Sequence, residues 1–499
     1  MKKEISQKLI KWTKKDVAKV VSVYIVNALL LSLLFVFLEF INGGLKLEHL
    51  LEYFKYPQYF LNFFVLTSLI VSFMAVFFLV IDKDFLHDAV NSEMLFLIME
   101  LSIAVCFFCC KYVHVYFCPF AIAGLLTLYL TNSRTALFTN TIFGLLFIVF
   151  FTFLGLNTNF VGSLEQTVLF FIINVASGIL ATYLMSGAYS RFKLLAKSLI
   201  VSIPNVAGVA LSLLAYGESD LVTAFVTSAC SGPVAIAGFM VVLPIFEGMF
   251  KKVSCFKYAE LTDHKAKFIK KMITQAPGTF NHSILVSNIA EACATAIGED
   301  AVLARTCAYY HDVGKLRRPE YFTENQADGV NPHNDLTPEL SANIIRSHAA
   351  DGYELLLKNR IPKQIADVCR EHHGTMPMLF FYDKAKKFTD GEVDINQFSY
   401  TGPKPQTKIA AILMIADGAE AATRTLKDRS REKVTTVVRK LVSDRMKLGQ
   451  FDECEITLKE LNIIISTVIN NLTGVYHRRI QYPKVSLEGL ETESLEQGN

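Results

Sequence analysis

Two patterns of apolar residues divide the chain. Between residues 17 and 247 they form long, nearly unbroken stretches; from Phe250 onward they recur every three or four positions among charged residues. A bilayer core about 30 Å thick takes roughly 20 apolar residues per helix, so the first pattern predicts membrane spans. The second predicts the buried stripes of a globular helical domain. Eight spans are expected: Val17 to Ile41, Tyr59 to Ile81, Met94 to Cys110, Val113 to Leu130, Leu137 to Leu156, Thr167 to Met185, Leu194 to Ala215 and Leu221 to Phe246. The third and fourth are short and meet at "CCKYVHVYFCPF". Beyond the boundary come "NHSILVSNIAEACATAIG", closing on Gly298 as a C-cap, then "EDAVLARTCAYYHD", "PELSANIIRSHAADGYELLLKN", "PKQIADVCREHH" and "QTKIAAILMIADGAEAATRTL". No alternating run of strand length intervenes. The expected fold is all-α: a polytopic helical membrane domain over 1–249, a cytoplasmic helical domain over 250–482 and a disordered acidic tail over 483–499.

Composition supports this division. The 499 residues are 52% hydrophobic, and a mean hydropathy of +0.36 exceeds that of a purely soluble chain. A net charge of +3 provides no concentrated basic face, which argues against a nucleic-acid polymer as partner. Ten cysteines are scattered without a close, even framework, as in a reducing compartment. Cys106 and Cys109 form a CxxC, but inside an apolar span, where small polarizable side chains pack. The flank "MKKEISQKLIKWTKK" is basic, which by the positive-inside rule places it in the cytoplasm. Eight crossings return the chain there, with "SRFKLLAK" and "FKKVSCFK" inside and "NTNFVGSLE" and "YGESD", which carry no basic residue, outside. Glu39 and Asn174 are polar within spans, yet no pair of interrupted helices and no row of acids marks a transport path. Anchoring or sensing is the better reading.

Candidate chemistry lies in the second half. Ala304, Cys307 and Ala308 lead at helical spacing to His311; Ile344 and Ile345 lead to His348; Ile365, Val368 and Cys369 lead to His372 and His373; Ile409 and Leu413 lead to Asp417. Each polar residue extends an apolar stripe and points inward. Any one of these histidines alone reads as a core imidazole bonded to a carbonyl. Joined by Asp312 and by His282, near the start of the first helix, they form a set whose burial costs on the order of several kcal/mol per ion unless bound cations compensate. The dipeptide alone carries no such weight, because His87-Asp88 repeats it without these neighbours and reads as a loop pair.

The ordered set His282, His311, Asp312, His348, His372, His373 and Asp417 is the pattern of the HD phosphohydrolase superfamily. With "PGTFNHS", "YYHDVGKLRRPEYFTENQ", "NPHNDLTPELSANIIRSH", "HHGT", "YTGPKPQTK" and "DECEITLKEL" in order, residues 250–482 resemble the catalytic domain of the seven-transmembrane HD family, the PgpH-type cyclic di-AMP phosphodiesterases. The likeness continues more loosely through "YFCPFAIAGLLTLYLTNSRTALFTNTIFGLL". The resemblance implies a multi-pass enzyme of a bacterial plasma membrane with two divalent metal ions, iron or manganese. His282, His311, Asp312 and Asp417 would hold one ion and His348, His372 and His373 the other, with Asp312 bridging. It further implies in-line attack by a metal-activated hydroxide that opens cyclic di-AMP to pApA, with Asp312 and Lys315 as the catalytic residues. Lys315, one turn past His311, would steady charge on the phosphoryl oxygens; its plain alternative is a solvated surface lysine. Cyclic di-AMP and membrane lipid are the implied partners, and a homodimer stays open.

Departures from the family pattern narrow these expectations. Relatives that cleave cyclic di-GMP carry a GYP segment after the paired histidines, whereas "HHGTMPMLFFYD" stands here. Family members place a large extracellular domain between the first two spans, where this chain has "NGGLKLEHLLEYFKYPQ". His333 reads equally as a pocket border and a turn residue. Rival readings are an HD hydrolase for another cyclic dinucleotide or nucleotide, a nucleotide-binding membrane receptor without turnover, and a transporter.

Overall fold

The computed structural model describes residues 12–46, 51, 55–154, 164–188, 190–216, 221–326, 331–388 and 392–475. The expected tail and most of the basic N-terminal flank lie outside these residues. The chain divides into two compact units, Met1–Lys257 and Tyr258–Asn499. Among the described residues every regular element is a helix, and one isolated antiparallel bridge joins Pro377 to Ser399.

The first unit contains α1 (Lys14–Asn42), α2 (Pro57–Ile81), α3 (Lys83–His87), α4 (Ala89–Tyr112), α5 (Ala121–Leu130), α6 (Ser133–Phe153), α7 (Leu164–Met185), α8 (Arg191–Val201), α9 (Ile203–Tyr216) and α10 (Leu221–Phe250). Among the described residues, seven segments are long and apolar enough to cross a membrane, α8 and α9 counting as one. The expected span Val113 to Leu130 is not continuous: a 3-10 turn at Val115–Phe117 and Pro119 precede α5, which has only 10 residues. At 1.5 Å per residue, α5 covers roughly half a bilayer.

Its contacts nonetheless place its two ends at opposite faces of the bundle. On one face, Lys111 Nζ donates to the Ile41 carbonyl at the end of α1 (2.7 Å), Asn42 donates to Leu154 past the end of α6 (2.8 Å), and His114 meets Thr227 near the start of α10 (3.3 Å). On the other, the Tyr129 hydroxyl near the end of α5 reaches the Met185 and Ala188 carbonyls past α7 (3.0 and 2.9 Å), and its ring lies 5.1 Å from that of Phe256, past α10. Val115, Tyr116, Cys118 and Phe120 in the lead-in are buried. Irregular backbone at membrane depth is tolerated when protein covers it in this way.

Two further expectations change. The expected single helix over the span Leu194 to Ala215 breaks at Ser202, two residues before Pro204. The Ser202 hydroxyl donates to the Ala229 carbonyl (2.7 Å) and accepts from Gly232 N–H (2.9 Å), so α10, itself carrying Pro233, meets the groups at the break. His87-Asp88 is also not a plain loop pair. His87 ends α3 with Nε2 3.6 Å from Asp16, and the Asp88 carboxylate caps α4 at Val90 N–H.

The second unit takes up α11 (Cys255–Leu261), which begins at the junction, and continues with α12 (Lys267–Gln275), α13 (Pro277–Ile297), α14 (Ala301–Tyr310), α15 (Pro338–Lys358), α16 (Lys363–Glu371), α17 (Leu379–Phe388), α18 (Lys408–Arg424), α19 (Arg431–Lys447) and α20 (Leu458–Val475). Gly298 closes α13 in the left-handed region (φ +78°), as expected, and Asp300 caps α14 by accepting from Val302 and Leu303 N–H (both 3.0 Å). Helix α13 packs on α14, α18 and α20. Ile409 to Ala416 of α18 are buried without a break, which makes α18 the central helix. The segment Val313–Arg317 lies so close on α15 that a Cβ on Gly314 would overlap the His348 carbonyl oxygen. Glycine is therefore required there by space.

Gly314→Ala is expected to destabilise this unit by about 2–3 kcal/mol and to lower its thermal midpoint by roughly 5–10 °C, read by calorimetry. Gly474→Ala, where an added Cβ meets nothing, serves as the control.

Candidate metal centre

The helix ends of this unit aim imidazoles at one point. His311 is the first residue after α14, His372 and His373 follow α16, His348 lies within α15, His282 within α13 and Asp417 within α18. All the expected residues meet in two groups, Asp312 with His348, His372 and His373, and His282 with His311 and Asp417; ligand atoms within each group lie within 4.8 Å of one another. Asp312, only 1% exposed, stands between them. Its Oδ1 is 3.3 Å from His348 Nε2 and 3.7 Å from His372 Nε2. Its Oδ2 is 3.3 Å from His311 Nε2 and 3.8 Å from His282 Nε2. One carboxylate thus serves both groups.

Hydrogen bonding assigns the tautomers. Nδ1–H of His311, His348 and His372 donates to the carbonyl three residues earlier, on Ala308, Ile345 and Cys369, at 2.7, 2.6 and 2.6 Å. A carbonyl can only accept, so the proton sits on Nδ1 and the Nε2 lone pair faces the centre. His282 instead places Nδ1 2.6 Å from Glu420 Oε2 and Nε2 3.0 Å from Asp417 Oδ1.

Burial and neighbouring charge set the protonation states. Burial, helped by His311, lowers His372 to about 3, and burial with His372 beside it lowers His373 well below the usual range, so both are neutral donors. Burial alone would raise the carboxyl of Asp312, but His311 and Lys315 hold it well below the usual carboxylate range. Burial likewise opposes the hydrogen bond to His282 at Asp417, and here too the carboxyl ends well below. Both acids are therefore ionised.

This donor set fits divalent metal ions. His311 Nε2 and Asp312 Oδ1 are buried without a hydrogen-bond partner, atoms that a cation would satisfy. Imidazole with carboxylate suits the harder first-row metals. Glu420, 1% exposed, holds His282 by Nδ1 from behind, as carboxylates commonly do for metal-bound imidazoles. Its place three residues after Asp417 on α18 was the available signal.

Lys315 is not a solvated lysine. Its Nζ lies 2.7 Å from Asp312 Oδ2 and 2.8 Å from Glu324 Oε1, with the Phe322 ring 5.0 Å away. Nothing in the sequence pattern singled out Glu324. Tyr400 stacks on His373 with centroids 4.2 Å apart, and a short clip holds it there: Tyr400 N–H donates to the Met376 carbonyl (3.1 Å) and Met378 N–H to that of Phe398 (2.7 Å). His333 is outside both groups, with Nε2 2.9 Å from the Tyr321 carbonyl and its ring 5.5 Å from Phe381.

Comparison with known proteins gives concordant matches. Residues 57–254 match the family model described as 7TM receptor with intracellular HD hydrolase, and residues 279–422 match the HD domain. The cyclic-di-AMP phosphodiesterase PgpH of Bacillus subtilis (strain 168) is 36% identical over 377 residues, 74% of this chain and 52% of the relative. The protein of the same name from Listeria monocytogenes serotype 1/2a (strain 10403S) is 40% identical over 325 residues, 62% of this chain and 45% of the relative. The chain therefore spans about half the length of these relatives. A crystal structure of the L. monocytogenes phosphodiesterase PgpH HD domain in complex with cyclic-di-AMP is 47% identical, matching 43% of this chain and 99% of that one with a TM-score of 0.41.

A metal that binds only the folded centre raises the melting temperature in proportion to its occupancy. Adding Mn2+ to metal-stripped protein is expected to raise the midpoint of the second unit by several degrees, roughly 2–4 °C per kcal/mol of linkage. In Asp312→Ala, measured by the same scan, that increment should vanish.

Proposed function

Because the chain belongs to the family of 7TM receptors with an intracellular HD hydrolase, we propose that it is a membrane-anchored, metal-dependent phosphodiesterase that hydrolyses cyclic di-AMP to pApA. The observation that carries this reading is the Asp312 carboxylate, with one oxygen toward each of two imidazole groups. His282, His311 and Asp417 would hold one ion and His348, His372 and His373 the other, with Asp312 shared. The metals are iron or manganese. Bound there, the two cations supply a water acidic enough to be hydroxide near neutral pH and a positive field for the phosphoryl oxygens.

The chain's own groups provide the rest. Neutral His372 and His373 need lose no proton to act as donors near neutral pH. Lys315 brings an ammonium beside the shared carboxylate, and of its three N–H groups two point at Asp312 and Glu324, leaving one for a phosphoryl oxygen of the substrate. Departure of the 3′-oxygen opposite the attacking oxygen opens the ring. The two relatives named cyclic-di-AMP phosphodiesterase support the choice of substrate.

The chain is a multi-pass membrane protein, and the contacts of its first unit support an even number of crossings. The start of α1 and the end of α10 share a face only if α5 with its lead-in counts as a crossing, giving eight. With the positive-inside rule, the basic N-terminal flank supports a catalytic unit in the cytoplasm, at a bacterial plasma membrane.

Purified full-length protein, loaded anaerobically with iron or manganese, is expected to convert cyclic di-AMP to pApA when offered a nucleotide panel. Strong turnover of another nucleotide with none of cyclic di-AMP would reassign the substrate. Asp312→Ala should lose about three orders of magnitude in kcat, since several kcal/mol of charge stabilisation rest on that carboxylate. For topology, a phosphatase reporter fused after Lys257 should be inactive and one fused after Tyr216 active. The opposite pattern would remove the eight-crossing assignment.

A further inference from the structure

Lys315 has a second carboxylate partner that the chemistry above leaves without a task. Glu324 Oε1 stands 2.8 Å from Lys315 Nζ, and its side chain is 10% exposed, so this is no surface ion pair. The same oxygen accepts from the Thr279 hydroxyl at 3.2 Å. Asn325 fastens the junction from the next position: Oδ1 accepts from Thr279 N–H (3.1 Å) and Nδ2 donates to the Thr279 hydroxyl (2.8 Å). The fit is tight enough that a Cβ on Gly278 would overlap the Glu324 carbonyl. Thr279 precedes His282 by three residues on α13, and His282 Nε2 lies 3.8 Å from Asp312 Oδ2. A polar circuit therefore runs from His282 to Asp312, Lys315, Glu324 and Thr279 and back into the helix of His282.

We propose that Glu324 is a positioning residue for the phosphodiester reaction, acting through Lys315. Set opposite Asp312, it makes the second of the two carboxylate contacts that fix the ammonium, so that the third N–H stays directed at a phosphodiester oxygen. Lacking that charge, the ammonium keeps Asp312 Oδ2 as its one anion and turns about that single contact. The donor meant for substrate is then misaimed. The inference rests on the phosphodiesterase reading and adds to it the group that aims its lysine.

A double-mutant cycle on the full-length, metal-loaded protein with cyclic di-AMP tests it. Glu324→Gln should lower kcat by roughly 10- to 100-fold, the usual cost of a misplaced catalytic group, with KM within about twofold and metal content unchanged. Glu324→Asp should recover part of the loss. Lys315→Met combined with Glu324→Gln should be no worse than Lys315→Met alone, because two residues acting through one ammonium are not additive. Additive losses would overturn the assignment, as would a Glu324→Gln loss that tracks metal content or melting temperature. No turnover by the wild-type chain would instead remove the phosphodiesterase reading, and this inference with it.

Discussion

A buried carboxylate controls the second unit. Asp312 is ionised and almost wholly enclosed, a condition costing on the order of several kcal/mol unless compensated on every side. Lys315, in the following turn, supplies a positive charge at Oδ2, and imidazoles from segments far apart in sequence, His282 on α13, His311 after α14, His348 on α15 and His372 after α16, line the space where a cation would supply the rest. These elements have to be in place together. The close contact at Gly314, which brings the turn carrying Asp312 and Lys315 against the backbone of His348, is part of the same constraint. Fold and centre are therefore linked, and any cation the centre takes up adds to the stability of the unit.

The imidazoles are aimed by helix geometry more than by other side chains. Three of them donate Nδ1–H to the carbonyl three residues back, and for His311 and His372 that carbonyl belongs to the last turn of the preceding helix. The last turn of a helix leaves carbonyls without partners inside the helix. A histidine just past the end caps such a carbonyl, and its other nitrogen then points beyond the helix axis. The apolar stripes of α14 and α16 fix the rotation of each helix in the core, and so the direction of the ring.

This explains what could be read in advance. Stripes ending in His311, His348, His372 and Asp417 follow from side-chain periodicity, and the structure brings all the expected ligands together. Glu324 and Glu420 escaped because glutamate is ordinarily exposed. Glu420 had a sign in its helical spacing from Asp417, whereas Glu324 is revealed only by its partner Lys315. In the first unit, length misled for the opposite reason. The composition of Val113 to Leu130 suits a span while its backbone is half turn and half short helix, since burial by neighbours can replace helical hydrogen bonding at membrane depth. The break at Ser202 had a sign in Pro204, but two prolines, Pro233 and Pro244, also sit inside α10 without interrupting it. What separates the two cases is the partner, Ser202 reaching into α10, and partners are tertiary facts.

Among the described residues, seven segments are apolar and long enough to cross a membrane, and an odd number of crossings would set the two ends of the bundle on opposite sides. Hydrogen bonds at helix ends are a stricter guide, because each ties two ends to one face. Ile41, Lys111, Asn42 and Leu154 are bound together in this way, as are Tyr129, Met185 and Ala188. Since α6 begins at Ser133 beside Ser186, just after α7, and ends beside Asn42, the chain must already have returned across the bundle between Lys111 and Ser133. Only α5 and its lead-in occupy that interval. The short apolar helix α5 is thus the one on which the number of crossings turns.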